Sequence, residues 1–174
     1  MATNLQFIKS VEITSSQSTT NVDNIFSSNY DVYKIVLKGI CTVGTSDLNL
    51  NARLIDNSGS VISDNEYDYA VLQLKSGSSF TENKNTNFSR IDRISFSDQS
   101  PESQGCVLYV YNPNDSSSYT FLNWQETHSR GAGLGGFKGI AVHKVAETIR
   151  GINFFDVYTD RPYDKGTIVV YGVK

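Results

Sequence analysis

The sequence predicts an all-β chain that folds as one antiparallel β-sandwich domain over residues 1–174, with a jelly roll favoured over an immunoglobulin-like sandwich. Apolar and polar residues alternate with the two-residue period of a strand in segment after segment. No segment repeats its apolar residues at the helical period for more than about two turns. Clusters of Gly, Pro, Asn, Asp and Ser separate the alternating segments, which is typical of turns and loops between strands.

The first predicted strands lie in the amino-terminal part of the chain. Leu5–Thr14 carries apolar residues on alternate positions, and in Asn29–Gly39 the side chains of Tyr33, Ile35 and Leu37 share one face. The remaining predicted strands are Leu48–Leu54, Tyr67–Leu74, Ile91–Phe96, Cys106–Asn112, Tyr119–Gln125, Phe137–Val145, Ile152–Tyr158 and Thr167–Val173.

The segments between these strands predict two tight turns and two polar loops. Asp56–Gly59 tolerates positive φ, so the strands on either side of it are expected to form one hairpin or to be near neighbours. Asn112–Asp115 predicts a second hairpin, whose first strand is apolar on both faces and therefore central. Ser15–Asn21 and Lys75–Arg90 are polar and are expected to be loops. His143–Ile149 is the best helix candidate, although it could equally end a strand.

Composition and charge exclude several classes of partner. The net charge is −3, the sequence pI is about 5.3 and 19% of residues are charged, so no broad positive field is expected to bind nucleic acid. The start of the sequence has no basic segment followed by an apolar one, so we expect a soluble chain with no cleavable signal and no membrane insertion. Cys41 and Cys106 lie in or beside apolar strands and are expected to be buried free thiols.

No metal or cofactor is expected from the motifs. The sequence has no Cys-x-x-Cys pair, His128 and His143 stand well apart, and Asp56–Gly59 lacks the closing Glu of a calcium loop. Gly131-x-Gly133-x-x-Gly136 has dinucleotide-binding spacing, but Phe137–Val142 after it is strand-like. Because a phosphate site needs a helix there, these glycines are interpreted as a flexible or closely packed backbone segment.

The titratable residues do not predict an enzyme. His128 and His143 are the candidate acid–base groups, yet neither stands in a nucleophile motif. Two acidic pairs could in principle cleave glycosides, namely Asp64 with Glu66 and Asp156 with Asp160. Solvated loop charge is the favoured interpretation of both pairs, so no catalytic residue is assigned.

Aromatic residues and long loops carry the predicted binding role. The chain has ten tyrosines and nine phenylalanines, and a tyrosine near a strand end can bind a sugar face or another subunit. The tyrosines in such positions are Tyr67, Tyr69, Tyr111, Tyr119, Tyr158 and Tyr163, and packing on a sheet face is the alternative for most of them. Lys75–Arg90 is predicted to make protein contacts, together with a second loop. That second candidate contact loop consists of Arg130, Gly131, Gly133, Leu134, Gly135 and Gly136.

Five short segments support a family resemblance. They are Phe7-Ile8-Lys9-Ser10-Val11, Asn29-Tyr30-Asp31-Val32-Tyr33-Lys34, Tyr109-Val110-Tyr111-Asn112-Pro113, Lys138-Gly139-Ile140-Ala141-Val142-His143-Lys144 and Tyr171-Gly172-Val173-Lys174. With them, the chain resembles small virion structural proteins of tailed bacteriophages of the marine and cyanobacterial type.

The resemblance implies a β-sandwich on the particle surface, either a capsid decoration (cement) protein or a component associated with the tail or its fibres. It also implies protein–protein contacts with other virion proteins, a homo-oligomer with a trimer preferred, and assembly in the host cytoplasm. No catalytic or metal residue follows from it. The alternative function is a carbohydrate-binding, lectin-like module that recognises a host-surface glycan.

Overall fold

The computed structural model describes residues 4–42, 48–97, 104–130, 133–158 and 162–174. Within these ranges the chain forms twelve β-strands and no helix, and every strand pair is antiparallel. The strands make two sheets that pack as a sandwich, so the predicted fold class is confirmed. None of the described residues belongs to a helix that is long and apolar enough to cross a membrane.

The larger sheet has eight strands. In spatial order they are β1 (Leu5–Ile13), β12 (Tyr163–Val173), β3 (Val32–Thr42), β8 (Gly105–Tyr111), β9 (Thr120–Arg130), β10 (Gly133–His143), β5 (Tyr67–Lys75) and β6 (Thr81–Phe88). The smaller sheet has four strands, in the order β2 (Thr19–Val22), β11 (Ile149–Asp156), β4 (Leu48–Asp56) and β7 (Ile91–Ser97).

The hydrophobic core lies between the two sheets. Leu37 of β3 and Val110 of β8 face it from the larger sheet, and Leu50 of β4 and Phe154 of β11 face it from the smaller one; all four are fully buried. Because side chains alternate along a strand, the intervening residues of the larger sheet point to its opposite, outer face. A groove over β8, β9, β10 and β5 lies on that outer face.

The predicted second hairpin is confirmed. β8 pairs with β9 through the Asn112–Asp115 turn, in which the Asp115 N–H donates to the Asn112 carbonyl at 3.3 Å. β8 is flanked by β3 and β9, so its prediction as a central strand is also correct.

The predicted turn at Asp56–Gly59 forms as well, with Gly59 at φ 93°, but the strands on either side of it, β4 and β5, are not neighbours. β4 belongs to the smaller sheet and β5 to the larger, because after Ile62 the chain crosses from one sheet to the other.

Two segments predicted to be polar loops contain strands. Lys75–Arg90 includes β6, and Ser15–Asn21 runs into β2; both are edge strands with one neighbour each. The side chains of β6 are mostly exposed, so its backbone pairing with β5 forms without the apolar alternation that marks a half-buried strand. The sequence pattern was therefore insufficient at these sheet edges.

The best helix candidate follows the end of a strand, as its alternative allowed, and the predicted burial of both thiols is confirmed. His143–Ile149 contains no helix, because β10 ends at His143 and β11 begins at Ile149. Cys41 and Cys106 are both buried, and no disulfide joins them. The Cys106 thiol donates a hydrogen bond to the Ile94 carbonyl at 3.6 Å, and burial raises the pKa of this thiol well above its usual value.

Candidate binding surfaces

A groove crosses the outer face of the larger sheet, over β8, β9, β10 and β5. Its main cavity has a volume of about 710 Å³ and includes Tyr109, Lys138 and Ile140 in its lining. A second cavity of about 410 Å³ shares Ile140 and adds Tyr111 and Phe121. The two cavities also share Ala70 and Asn123, so we call the combined surface the outer groove.

Tyrosine rings and an amide make up the centre of the outer groove. Tyr109 and Tyr111 lie two residues apart on β8, with ring centroids 6.5 Å apart and an interplanar angle of 26°. The Asn123 side-chain amide on the neighbouring strand donates to the Tyr111 hydroxyl at 2.9 Å. Ile140 is 63% exposed and Phe121 is 46% exposed beside them. The groove therefore offers apolar area together with polar groups that can orient a ligand.

Charged residues border the main cavity of the outer groove. Lys138 of β10 lines it, and the edge strand β6 adds Glu82 and Lys84. Glu82 and Lys84 lie 3.8 Å apart with their side chains about three-quarters exposed, so this pair contributes little to stability. Both charges remain accessible to a ligand.

The two predicted contact segments meet at one end of the larger sheet. The Ser76 N–H, just after β5, donates to the Leu134 carbonyl in β10 at 2.9 Å. Leu134 is 62% exposed, and Phe80, in the connection between β5 and β6, is 61% exposed. We call residues 76–80 and 133–135 the hairpin end. Its role in protein contact stays a prediction.

The described glycines of the second segment, Gly133, Gly135 and Gly136, lie in a strand. Gly133–Gly136 opens β10, Arg130 ends β9, and Gly131 lies outside the described residues. A Cβ atom at Gly136 would collide with the Glu126 carbonyl oxygen, and one at Gly135 would lie 2.5 Å from Nε2 of His128. These two glycines therefore permit close packing, as the alternative interpretation of the motif predicted, and no helix follows them.

The six candidate tyrosines divide into two groups. Tyr67, Tyr69 and Tyr163 are buried in the core. Tyr111 lines the outer groove, while Tyr119 and Tyr158 are exposed by nearly half. Tyr109 and Asn123 were not predicted as binding residues, although both line the groove. Their alternation with core residues on β8 and β9 is the signal that could have found them.

His128 forms a buried pair with Glu126. Nδ1 of His128 lies 2.9 and 3.0 Å from the two Glu126 carboxylate oxygens, since residues two apart on β9 face the same side. Burial raises the pKa of the Glu126 carboxyl, although the hydrogen bond from His128 opposes the rise. The ring is almost fully buried and packs against Phe96 and Phe137. This arrangement satisfies polar groups in the interior and leaves the imidazole little access to a substrate.

Of the two candidate acidic pairs, only Asp64 with Glu66 lies wholly within the described residues. The Asp156 carboxylate accepts the Tyr158 N–H at 2.8 Å, and its predicted partner Asp160 lies outside the described residues. Glu66 contacts Asp64 only through the backbone. The Glu66 carboxylate instead lies 3.0 Å from Nε2 of His143, a contact that joins residues 77 positions apart.

Comparisons with known proteins identify no family. No family model matches the sequence, and no curated protein matches it. The chain is similar to exo-inulinase from Aspergillus awamori, with 9% identity and a TM-score of 0.36 over 98% of this chain and 29% of that chain. It is also similar to the CBM2 module of Lactobacillus casei BL23 phage J-1 evolved Dit, with 11% identity and a TM-score of 0.25 over 89% and 68%.

A third similar structure is mouse laminin alpha1 domains LG4-5, with 6% identity and a TM-score of 0.29 over 96% of this chain and 42% of that chain. The chain thus spans well under half the length of the inulinase and laminin chains. Likeness this weak carries no argument about function.

Proposed function

We propose that this chain is a non-enzymatic structural protein on the surface of a tailed-phage particle, as a capsid decoration or a tail-fibre-associated component. Protein–protein contacts hold it in place, and it self-associates, with a trimer preferred. The sequence segments that resemble virion structural proteins support the proposed location on a phage particle. The antiparallel sandwich is the fold that this resemblance implies.

The exposed apolar side chains of the hairpin end are the main support for the proposed protein contacts. Two segments distant in sequence converge there, and each presents one large apolar side chain to solvent, Phe80 and Leu134. Exposed apolar anchors cost free energy in water and contribute binding free energy when a partner covers them. A closed ring of identical sandwiches would also cover edge strands such as β6 and so prevent their indiscriminate pairing with other chains.

Two measurements test this proposal. Light scattering of the purified chain over a range of concentrations is expected to show an oligomer, with the mass of a trimer. Electron microscopy of intact particles is expected to place the chain at a symmetry axis of the capsid or on the tail. A chain that stays monomeric at high concentration and is absent from purified particles would refute the proposal.

The outer groove favours a second candidate function, carbohydrate binding. The half-buried rings of Tyr109 and Tyr111 line the groove and can pack against sugar rings, and nearby Asn123 and Lys138 can hydrogen-bond to hydroxyl groups. A glycan array tests this candidate, with the Tyr109→Ala/Tyr111→Ala double variant as the comparison. Specific signals that disappear in the double variant would support a receptor-binding module. An array without specific signals would refute carbohydrate binding and leave the structural role as the only proposed function.

A further inference from the structure

Three potential metal ligands converge at the end of the β10–β5 ladder. His143 is the last residue of β10, Glu66 immediately precedes β5, and Glu147 lies in the connection to β11. Nε2 of His143 is 3.0 Å from Oε2 of Glu66 and 3.7 Å from Oε1 of Glu147. The three ligand atoms all lie within 4.8 Å of one another. The Lys144 N–H donates to the Glu66 carbonyl at 2.9 Å, which fixes the backbone on both sides of the cluster.

The cluster is closed on the imidazole side and open on the carboxylate side. His143 is fully buried, and its ring packs against Tyr67 with centroids 5.2 Å apart. The side chains of Glu66 and Glu147 are 32% and 33% exposed. The imidazole is therefore held in one orientation by packing, while solvent or an ion reaches the carboxylates directly.

Negative charge predominates in the cluster. The Glu66 and Asp56 carboxylates lie close enough to Glu147 to repel its carboxylate. The nearest basic residue in sequence, Lys144, pairs instead with Asp68 at 2.8 Å. Within the described ranges, His143 is the only group that forms a salt bridge with Glu66 or Glu147. A cation at this point would relieve the repulsion between the two carboxylates.

A second, independent feature lies on the other side of the imidazole. Nδ1 of His143 is buried and has no hydrogen-bond partner in the described structure, and the same is true of Oγ1 of Thr120. Both residues are fully buried, and β9 places Thr120 directly opposite His143. A threonine hydroxyl can accept a hydrogen bond from a histidine N–H, directly or through one water. A proton on Nδ1 then leaves the Nε2 lone pair directed at two carboxylates, as metal coordination requires.

We propose that Oε2 of Glu66, Nε2 of His143 and Oε1 of Glu147 bind a divalent transition-metal cation, with water completing the coordination. Ligand atoms bonded to zinc at about 2.0–2.2 Å in a tetrahedral arrangement are separated from one another by roughly 3.3–3.6 Å. The two separations from His143 are close to this range, and rotation of a partly exposed glutamate brings the third pair into it. An imidazole among the ligands favours zinc and similar metals over calcium and magnesium, which prefer oxygen ligands alone.

Metal titration of the full chain, first treated with a chelator and then desalted, tests this proposal. Calorimetry with Zn²⁺ near neutral pH is expected to show saturable binding of one ion per chain, and Zn²⁺ is expected to raise the unfolding temperature. Mg²⁺ and Ca²⁺ at the same concentration are expected to do neither. Glu147→Gln, at a partly exposed position that should tolerate the change, is expected to weaken zinc binding by roughly tenfold or more.

Matched variants decide between this site and adventitious binding. Glu12→Gln removes an exposed carboxylate on β1, away from the cluster and the outer groove, and is expected to leave zinc affinity unchanged. Thr120→Val removes the hydroxyl opposite His143 and is expected to weaken zinc binding while the chain remains folded by circular dichroism. Zinc binding that is absent, that exceeds one site without a distinct first site, or that survives Glu147→Gln unchanged would overturn the proposal.

Discussion

The hydroxyl of Tyr67 accepts a hydrogen bond from the backbone N–H of Leu54 at 3.0 Å. Tyr67 belongs to β5 in the larger sheet and Leu54 to β4 in the smaller one, so this contact joins the two layers of the sandwich. The same hydroxyl donates to the Ile62 carbonyl at 3.2 Å, on the chain segment that crosses between the sheets. Burial raises the pKa of Tyr67, which keeps the hydroxyl protonated and able to donate.

Tyr67→Phe is expected to destabilise the fold by about 1–3 kcal/mol, because it leaves a buried N–H and a buried carbonyl without their partner. Urea denaturation followed by circular dichroism measures the change. Tyr109→Phe removes a hydroxyl from the outer groove and is expected to change the free energy of unfolding by less than about 0.5 kcal/mol. Equal stability of the two variants would show that the link between the sheets contributes nothing.

Gly139→Ala is expected to destabilise the chain by about 1–3 kcal/mol through overpacking. A Cβ atom at Gly139 would collide with the indole ring of Trp124, which is buried and donates its N–H to the Arg93 carbonyl at 3.0 Å. Moving the ring would break that hydrogen bond between β9 and β7. Trp124 is the single tryptophan, so a shift in its fluorescence emission reports the displacement directly.

Gly105→Ala is the matched control for that substitution. A Cβ atom at Gly105 meets no atom within 4 Å, and Gly105 lies in β8 of the same sheet. The free energy of unfolding of this variant is expected to be unchanged or to rise by up to about 1 kcal/mol, because alanine restricts the conformations of the unfolded chain. An unshifted emission spectrum and unchanged stability in Gly139→Ala would contradict the packing argument.

The sequence predicted the strands that have one buried face. It was less successful in predicting which sheet each strand joins and which edge strands pair. Tyr33, Ile35 and Leu37 alternate because the second sheet covers one side of β3, and that requirement is local. The Asp56–Gly59 turn is local as well, but nothing in it specifies that the next strand joins the other sheet. The edge strand β6 needs only backbone pairing, so its polar residues gave no signal.

The candidate surfaces were predictable only in part, for the same reason. The two contact segments were identified by composition, yet their meeting at the hairpin end depends on the pairing of β10 with β5. Tyr109 and Asn123 alternate with core residues, but which face the second sheet covers depends on the whole fold. His143 and Glu147 are four residues apart, a spacing visible in the sequence, whereas Glu66 reaches them only through tertiary structure.

Both cysteines are expected to be unreactive toward a thiol reagent in the native chain. Cys41 and Cys106 are 3% and 1% exposed, and burial raises the pKa of the Cys106 thiol, which suppresses the reactive thiolate. Labelling in urea is expected to modify two thiols per chain, since no disulfide joins the two cysteines. Detection of a Cys41–Cys106 disulfide by mass spectrometry, or rapid labelling of native protein, would contradict this prediction.

The hairpin end is expected to mediate self-association or attachment to the particle. Deleting Gly131–Gly136 would not test this cleanly, because Gly133–Gly136 pairs with β9 and Gly135 and Gly136 also pair with β5. The double variant Phe80→Ser/Leu134→Ser changes two exposed side chains and leaves the backbone ladder intact. It is expected to weaken association by roughly tenfold or more, with unchanged circular dichroism and unfolding temperature. Light scattering and a particle-binding assay measure the loss.

Ile140→Ser is the exposure-matched control for the hairpin end. Ile140 is 63% exposed, against 62% for Leu134, but it lies in the outer groove. Leu134→Ser alone is compared with Ile140→Ser, because these two single changes remove similar exposed apolar area. Loss of association in Leu134→Ser and in the double variant, with none in Ile140→Ser, assigns the contact to the hairpin end. Loss in Ile140→Ser alone would move the contact to the groove. An oligomer and a particle attachment that survive the double variant unchanged would refute the assignment of residues 76–80 and 133–135.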